Sequence, residues 1–213
     1  MNKVLLFLMV IGLMSCNGGC NDPSSTPESS VSFAPPTAGE HIGKNVDVDA
    51  IIERRGGRIL LQACSIVSDK VIADALGKTR NEIIRRNATP PSEMPQQSAC
   101  FFKWEDYDLP NAGMFIQMIR NPFPDEYPDY ISKYVASYRT EGEQGVEMDP
   151  IYFKKFEGFG DDGSYSTEAG KYYWRLGEAV SFLIAFNTTH TPEEQYRIAT
   201  TVAKEMTLNY INR

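Results

Sequence analysis

The chain contains few of the side chains that build metal and redox sites. Its 213 residues include two histidines and four cysteines, and no two cysteines are separated by only two residues. Structural zinc sites need clusters of cysteine and histidine, and dithiol redox motifs need closely spaced cysteine pairs. We therefore expect no histidine-rich zinc site, no zinc ribbon, no other metal site and no cofactor.

Catalytic motifs are equally scarce. The sequence has no GxSxG and no SxxK, two motifs that carry serine nucleophiles. His190 is the only histidine in the region that we predict to fold, and it precedes Thr191, which we assign to a helix cap. Gly158-x-Gly160 lacks the Gly-Lys-Ser/Thr of a phosphate loop, and Asp161–Ser164 lacks the glutamate of an EF-hand loop. We expect turns at these places and name no catalytic residue.

Positive charge is in deficit. The formal net charge is −7 and the isoelectric point is about 5.0. A surface of this sign repels phosphate backbones, so we expect no nucleic-acid partner. The hydrophobic content of 42% is enough to build a core.

The chain has one strongly apolar run, Val4–Met14, which follows Lys3. Its eleven residues are too few to span a bilayer of about 30 Å but are typical of a secretory signal. Leu13-Met14-Ser15-Cys16 resembles the bacterial lipobox, with leucine at −3 and a small residue at −1. The resemblance implies that residues 1–15 are removed and that Cys16 is acylated. An ordinary signal peptide that happens to end near a cysteine is the alternative.

A lipid-anchored Cys16 would place the protein in a bacterial cell envelope. Two or three acyl chains suffice for stable membrane attachment, and Asn17 at +2 favours the periplasmic side of the outer membrane in enteric-type bacteria. Residues 16–45 are rich in proline and serine, which predicts a disordered tether. We assign residues 46–213 to one domain, and the role of Cys20 stays open.

The domain shows alternating helix and strand patterns. Ser68 and Gly77 bracket a short helix, and Thr191-Pro192-Glu193-Glu194 forms a capping box with proline at the first helical position. The periodicity places the remaining elements at Cys100–Trp104 (strand), Met114–Ile119 (strand), Pro128–Tyr138 (helix), Lys171–Leu176 (strand) and Ala179–Phe186 (strand). A two-residue turn, Gly177-Glu178, would join the last two strands. The pattern predicts an α+β fold, an antiparallel sheet with helices packed on it.

Cys64 and Cys100 both lie in the predicted domain. Because disulfides persist in exported proteins, we expect these two cysteines to be bonded to each other. Two separate buried thiols are the alternative.

Three stretches together resemble a known fold family. They are ACSIVSDKVIADALG (63–77), SACFFKW (98–104) and GFGDDGSY (158–165). The set is similar to the PsbP-like α/β/α sandwich and, within it, to cell-envelope lipoproteins of actinobacteria and their relatives. The resemblance covers roughly residues 58–211. It implies a non-catalytic binding or accessory role and transfers no catalytic residue.

The chain is rich in aromatic residues, with eleven tyrosines and eleven phenylalanines. Tyr172 and Trp174 would share one face of a strand, and Tyr165 lies nearby. These three residues either belong to the core or line a groove for a ligand. The leading hypothesis is non-enzymatic binding of an envelope protein or a small ligand at the membrane surface.

Two alternatives stay open. One is a carboxylate-dependent hydrolase acting on envelope polymers, for which Glu105, Asp106 and Asp108 are the clustered acids. The other is a structural accessory subunit of an envelope complex.

Overall fold

The computed structural model describes residues 41–89, 95–145 and 149–213, which fall within one compact unit, Pro36–Arg213. The signal peptide, Cys16, Cys20 and nearly all of the tether lie outside the described residues.

Within this region the helices are α1 Val48–Arg54, α2 Ala63–Ile66, α3 Asp69–Leu76, α4 Tyr130–Thr140 and α5 Pro192–Asn212, with a 3₁₀ turn at Arg80–Glu82. The strands are β1 Ile84–Asn87, β2 Gln97–Lys103, β3 Gly113–Arg120, β4 Glu143–Gln144, β5 Pro150–Ile151, β6 Lys154–Lys155, β7 Asp162–Ser166, β8 Lys171–Leu176 and β9 Val180–Asn187.

Seven of these strands form one sheet in the order β1-β2-β3-β9-β8-β7-β6. Every neighbouring pair in it is antiparallel. Strands β4 and β5 form a separate two-stranded ribbon. The predicted fold class, an antiparallel sheet with helices packed on it, is confirmed.

Helices cover both faces of the sheet. Trp174 of β8 donates its indole N–H to Thr207 Oγ1 of α5 at 3.0 Å. Tyr173, the preceding residue, stacks on Tyr138 of α4 with 4.1 Å between ring centroids. Because neighbouring residues of a strand point to opposite faces, α5 and α4 lie on opposite sides of the sheet. The larger core lies under α5 and the smaller one under α4.

Helix α5 begins at the predicted capping box. Thr191 Oγ1 accepts the N–H of Glu194, and the Glu194 carboxylate accepts the N–H of Thr191. A stripe of buried side chains, among them Ile198, Val202 and Met206, then faces the sheet. The apolar residues that recur with helical periodicity are therefore the ones that α5 buries against the sheet.

The turn between β8 and β9 is one residue longer than predicted. Leu176 pairs with Val180, which leaves Gly177, Glu178 and Ala179 in the loop. Gly177 adopts a φ of +54°, a left-handed conformation that glycine adopts at little cost. Its N–H is held by the Asp161 carboxylate.

The predicted disulfide is present. Cys64 of α2 and Cys100 of β2 are bonded, with 4.9 Å between their Cα atoms. The bond attaches the short helix α2 to β2, the strand next to the sheet edge, and closes a sequence separation of 36 residues. Cross-links of this kind stabilise chiefly by restricting the unfolded chain.

The folded region extends further toward the N-terminus than the predicted boundary at residue 46. Ile42 forms a bridge with Phe159, and its N–H and C=O bond to Gly158 O and to the Gly160 N–H. These hydrogen bonds attach the end of the predicted tether to the sheet edge.

Candidate binding surface

The aromatic residues that the sequence singled out belong to the core. Tyr172 and Trp174 are fully buried, and Tyr165 is partly buried and stacks on Tyr172, with 5.6 Å between ring centroids. Tyr196 of α5 lies 5.1 Å from the Tyr165 ring. Of the two alternatives that the sequence left open, the structure supports the core for Tyr172 and Trp174: a ligand would have to displace α5 to reach Trp174.

A second set of aromatic rings lies on the other face of the sheet, at α4. There a groove of about 440 Å³ runs along the outer side of the helix. We call it the tyrosine groove, and its lining residues are Tyr127, Asp129, Tyr130, Lys133, Tyr134, Ala136, Ser137, Thr140 and Glu141.

The spacing of tyrosines on α4 builds this groove. Residues 130, 134 and 138 follow one another at intervals of four, which places them on one side of a helix. The rings of Tyr130 and Tyr134 are nearly parallel, with 6.1 Å between their centroids. The Tyr138 ring stacks on the buried Tyr173. The row of rings thus runs from the core under α4 toward solvent.

The row ends in exposed rings just before α4. Phe123 packs edge-to-face against Tyr127 and Tyr130, with 6.2 Å between ring centroids in both pairs. Phe123 is 50% exposed and Tyr127 is 57% exposed. Contiguous exposed aromatic rings, unlike single ones, mark interaction sites on protein surfaces.

Charged groups border the groove and partly neutralise each other. The Lys133 ammonium lies 2.6 Å from the Asp129 carboxylate. The hydrogen bond from Lys133 holds the pKa of Asp129 below its usual value. Glu141 is exposed at the other end of the groove. Such a border can orient a partner through hydrogen bonds while the rings supply the contact area.

The groove offers contact surface without acid–base chemistry from Tyr134, which lines it, or from Tyr173, which lies in the core beneath α4. Burial raises the pKa of Tyr134 and of Tyr173 far above the usual value, so both phenols stay neutral at physiological pH. The Tyr138 hydroxyl donates to the Tyr134 hydroxyl at 3.1 Å. These side chains can stack and form hydrogen bonds.

The acidic loop after β2 has its carboxylate engaged within the protein. One oxygen of Asp106 accepts the N–H of Asp108 at 3.0 Å, and the other accepts the Thr189 hydroxyl at 3.1 Å. These hydrogen bonds, that of Asp108 first, hold the pKa of Asp106 below its usual value. Asp106 braces two loops, and this arrangement lends no support to the hydrolase hypothesis.

His190 lies in the same region and packs against protein groups. Its Nδ1 contacts the Thr188 hydroxyl, and its ring meets Trp104 edge-on, 6.3 Å between centroids. These contacts fit a packing role for this histidine.

The Gly158–Asp161 turn also has a structural role. The two oxygens of Asp161 accept the N–H groups of Asn45 at 2.9 Å and of Gly177 at 2.7 Å. The residues that follow form strand β7. In the described residues, no group of three or more potential metal ligands occurs.

The spacing of apolar residues predicts helix α4, but no pattern in the sequence predicts the groove. The sequence feature that could have indicated the groove is the pair Phe123 and Tyr127, which stand four residues apart just ahead of the tyrosine repeat of α4. No strand or helix pattern includes them, so aromatic residues in that segment had to pack locally or face solvent.

Comparisons with family models, with curated proteins and with solved structures give no match for this chain. Among the described residues, none of the helices combines the length and the apolar character that crossing a bilayer requires.

Proposed function

We propose that this chain is a lipid-anchored protein of the bacterial cell envelope, held by Cys16, that binds a partner protein without catalysis. The tyrosine groove is the proposed binding surface. The lipobox-like segment Leu13–Cys16 supports the anchor, and the resemblance to PsbP-like lipoproteins supports a binding or accessory role.

The exposed aromatic row carries the proposal. Tyrosine is enriched at protein interfaces and among the residues that dominate their binding energy. Phe123 and Tyr127 keep about half of their surface in solvent. Exposed apolar surface is unfavourable in free energy, and a partner that covers these rings would remove that cost. The Phe123 ring packs against both Tyr127 and Tyr130, and this packing preorganises the exposed rings and lowers the entropy cost of binding.

The anchor is tested by mass spectrometry of the protein purified from bacterial membranes. We expect the first residue to be Cys16, carrying acyl chains, and we expect Cys16→Ser to release the protein from membranes. An unmodified Cys16 in mature protein would contradict the anchor without bearing on the groove.

The groove is tested by photo-cross-linking in the native host. A cross-linking amino acid at position 127 should capture one discrete protein, and the same probe at the fully exposed Tyr107 should not. The captured protein is then identified, purified and titrated against the parent chain.

Alanine variants complete this test. Phe123→Ala and Tyr127→Ala should each weaken binding of the purified partner about tenfold or more, as interface aromatic residues do. Tyr107→Ala and Tyr152→Ala remove aromatic rings that are at least as exposed but belong neither to the groove lining nor to the Phe123–Tyr127 pair, and should leave the affinity unchanged. Equal capture at positions 107 and 127, or capture of a glycan or lipid in place of a protein, would refute the proposal.

A further inference from the structure

Four arginines gather around the last turn of α5. We call this group, Arg54, Arg55, Arg58 and Arg213, the arginine corner. The Arg55 guanidinium lies over the Tyr210 ring, 4.4 Å from its centroid. Arg54 Nη2 lies 3.5 Å from the carbonyl oxygen of Ile211.

The other two arginines border the same turn. Arg58 precedes Ile59, whose carbonyl accepts the Tyr210 hydroxyl at 2.9 Å. Arg213 directly follows α5 and donates to the carbonyl of Ser65 at 2.8 Å. Arg54, Arg58 and Arg213 are exposed.

The guanidinium groups of this corner form no ion pair with the carboxylates of the described residues, 41–89, 95–145 and 149–213. The three guanidinium nitrogens of Arg55 are buried and have no hydrogen-bond acceptor within the part of the chain that the structure describes. The negative end of the α5 dipole stabilises a nearby cation, but it amounts to about half an elementary charge. These four guanidinium groups thus stand around one helix end, without a carboxylate paired to them in the described residues, on a protein with net charge −7.

The chain enters the domain beside this corner. A Cβ placed on Gly43 would lie 2.8 Å from Thr207 Cγ2 and 3.4 Å from Ile211 Cδ1. Gly43 therefore rests on the last turns of α5, against the same residue whose carbonyl Arg54 approaches. Cys16, the proposed lipid attachment site, lies 27 residues earlier.

We infer that the arginine corner binds the phosphate groups of anionic phospholipids and turns the tether side of the domain toward the membrane. Guanidinium groups form paired hydrogen bonds with phosphate, and basic residues near an anionic leaflet add to the binding of a lipid anchor. The position of the tether favours a lipid surface over an acidic protein. The tyrosine groove lies on the opposite face of the sheet, where a partner can reach it.

Vesicle flotation tests this inference without the anchor. The full chain carrying Cys16→Ser is mixed with phosphatidylcholine vesicles that contain no anionic lipid or about 30% phosphatidylglycerol. We expect at least about tenfold stronger partitioning onto the anionic vesicles, and loss of that difference at high salt because salt screens exposed charges. Equal partitioning onto both vesicles would overturn the inference.

Charge-matched variants separate the corner from net charge. Replacing Arg54, Arg58 and Arg213 with glutamine should abolish the preference for anionic vesicles, since each basic residue contributes about fivefold. Replacing Lys70, Lys154 and Lys155, which are exposed on α3 and β6, removes the same charge and should retain the preference. Equal losses in both variants would overturn the inference. The result is independent of acylation and of the tyrosine groove, so it can fail while the proposed function stands.

Discussion

At Gly160 the backbone lies directly against a neighbouring strand. A Cβ placed there would lie 1.9 Å from the carbonyl oxygen of Arg175, and φ is +59°. Real Cβ atoms do not approach backbone that closely, so β8 or the turn would have to move. In the Gly-x-Gly-Asp pattern, Gly160 thus permits close contact with the backbone of Arg175. Asp161 then accepts the N–H groups of Asn45 and Gly177.

Gly160→Ala is predicted to destabilise the domain by about 3 kcal/mol or more, because it adds a steric clash to left-handed strain. Gly77→Ala is the matched control: its φ is +65°, and no atom of a packed neighbour among the described residues lies within 4 Å of the added Cβ. The control should lose only about 1 kcal/mol. Denaturant unfolding measures both, and equal losses would show that the turn relaxes freely.

At the scale of the element, α5 illustrates how a local signal sets a boundary. Thr191 and Glu194 satisfy each other's backbone N–H groups, and Pro192 occupies a position that needs no N–H. The helix then covers much of one face of the sheet.

Thr191→Ala is predicted to lower the free energy of unfolding by about 1 kcal/mol, because it leaves the Glu194 N–H without its acceptor. Thr201→Ala is the control, since Thr201 is exposed in the middle of the same helix and its hydroxyl donates to the carbonyl of Arg197. Alanine favours helix there, so the control should be neutral or slightly stabilising. Thermal melts of both variants would distinguish them, and an unchanged Thr191→Ala protein would contradict the assigned cap.

The helices and strands that were predicted correctly are those with local sequence signals, such as helix caps or runs of apolar residues. Helices α3 and α5 have caps, and β2, β3, β8 and β9 are apolar enough to be central strands. Helix α1 also begins at a cap, Asp47, which the sequence analysis did not recognise. Other missed elements lack such signals. Strand β7 reads as a glycine- and aspartate-rich turn, yet it is ordered by pairing with β8, and β1 is fully exposed at the sheet edge.

The candidate site was less predictable because it depends on tertiary packing. Alternation along β8 correctly separated Tyr172 and Trp174 from Tyr173, but it could not tell which faces a helix would cover. Both faces are covered. The groove lies on the outer side of α4, where Tyr130 and Tyr134 are not covered by another element of the described residues. The periodicity of the sequence does not indicate which side of a helix stays uncovered.

At the scale of the whole molecule, the sheet between two helical layers buries many tyrosines. Burial raises the pKa of Tyr134, Tyr172, Tyr173, Tyr196 and Tyr210. In the unfolded chain these phenols ionise near pH 10. The stabilising effect is therefore complete below about pH 10 and is lost as the pH rises, because only the unfolded state then releases protons.

Tyr172→Phe tests this linkage at a single ring. The Tyr172 hydroxyl is buried and has no hydrogen-bond partner among the described residues, so its removal should leave stability at pH 7 unchanged or increased. Above pH 10 the free energy of unfolding should fall less steeply than in the parent, by one proton or about 1.4 kcal/mol per pH unit. Tyr210→Phe also removes a phenol but breaks the hydrogen bond to the Ile59 carbonyl, so it should lose about 1 kcal/mol at pH 7. Urea unfolding from pH 7 to pH 11 measures both effects, and a Tyr172→Phe slope identical to that of the parent would show that this phenol ionises in the folded protein as well.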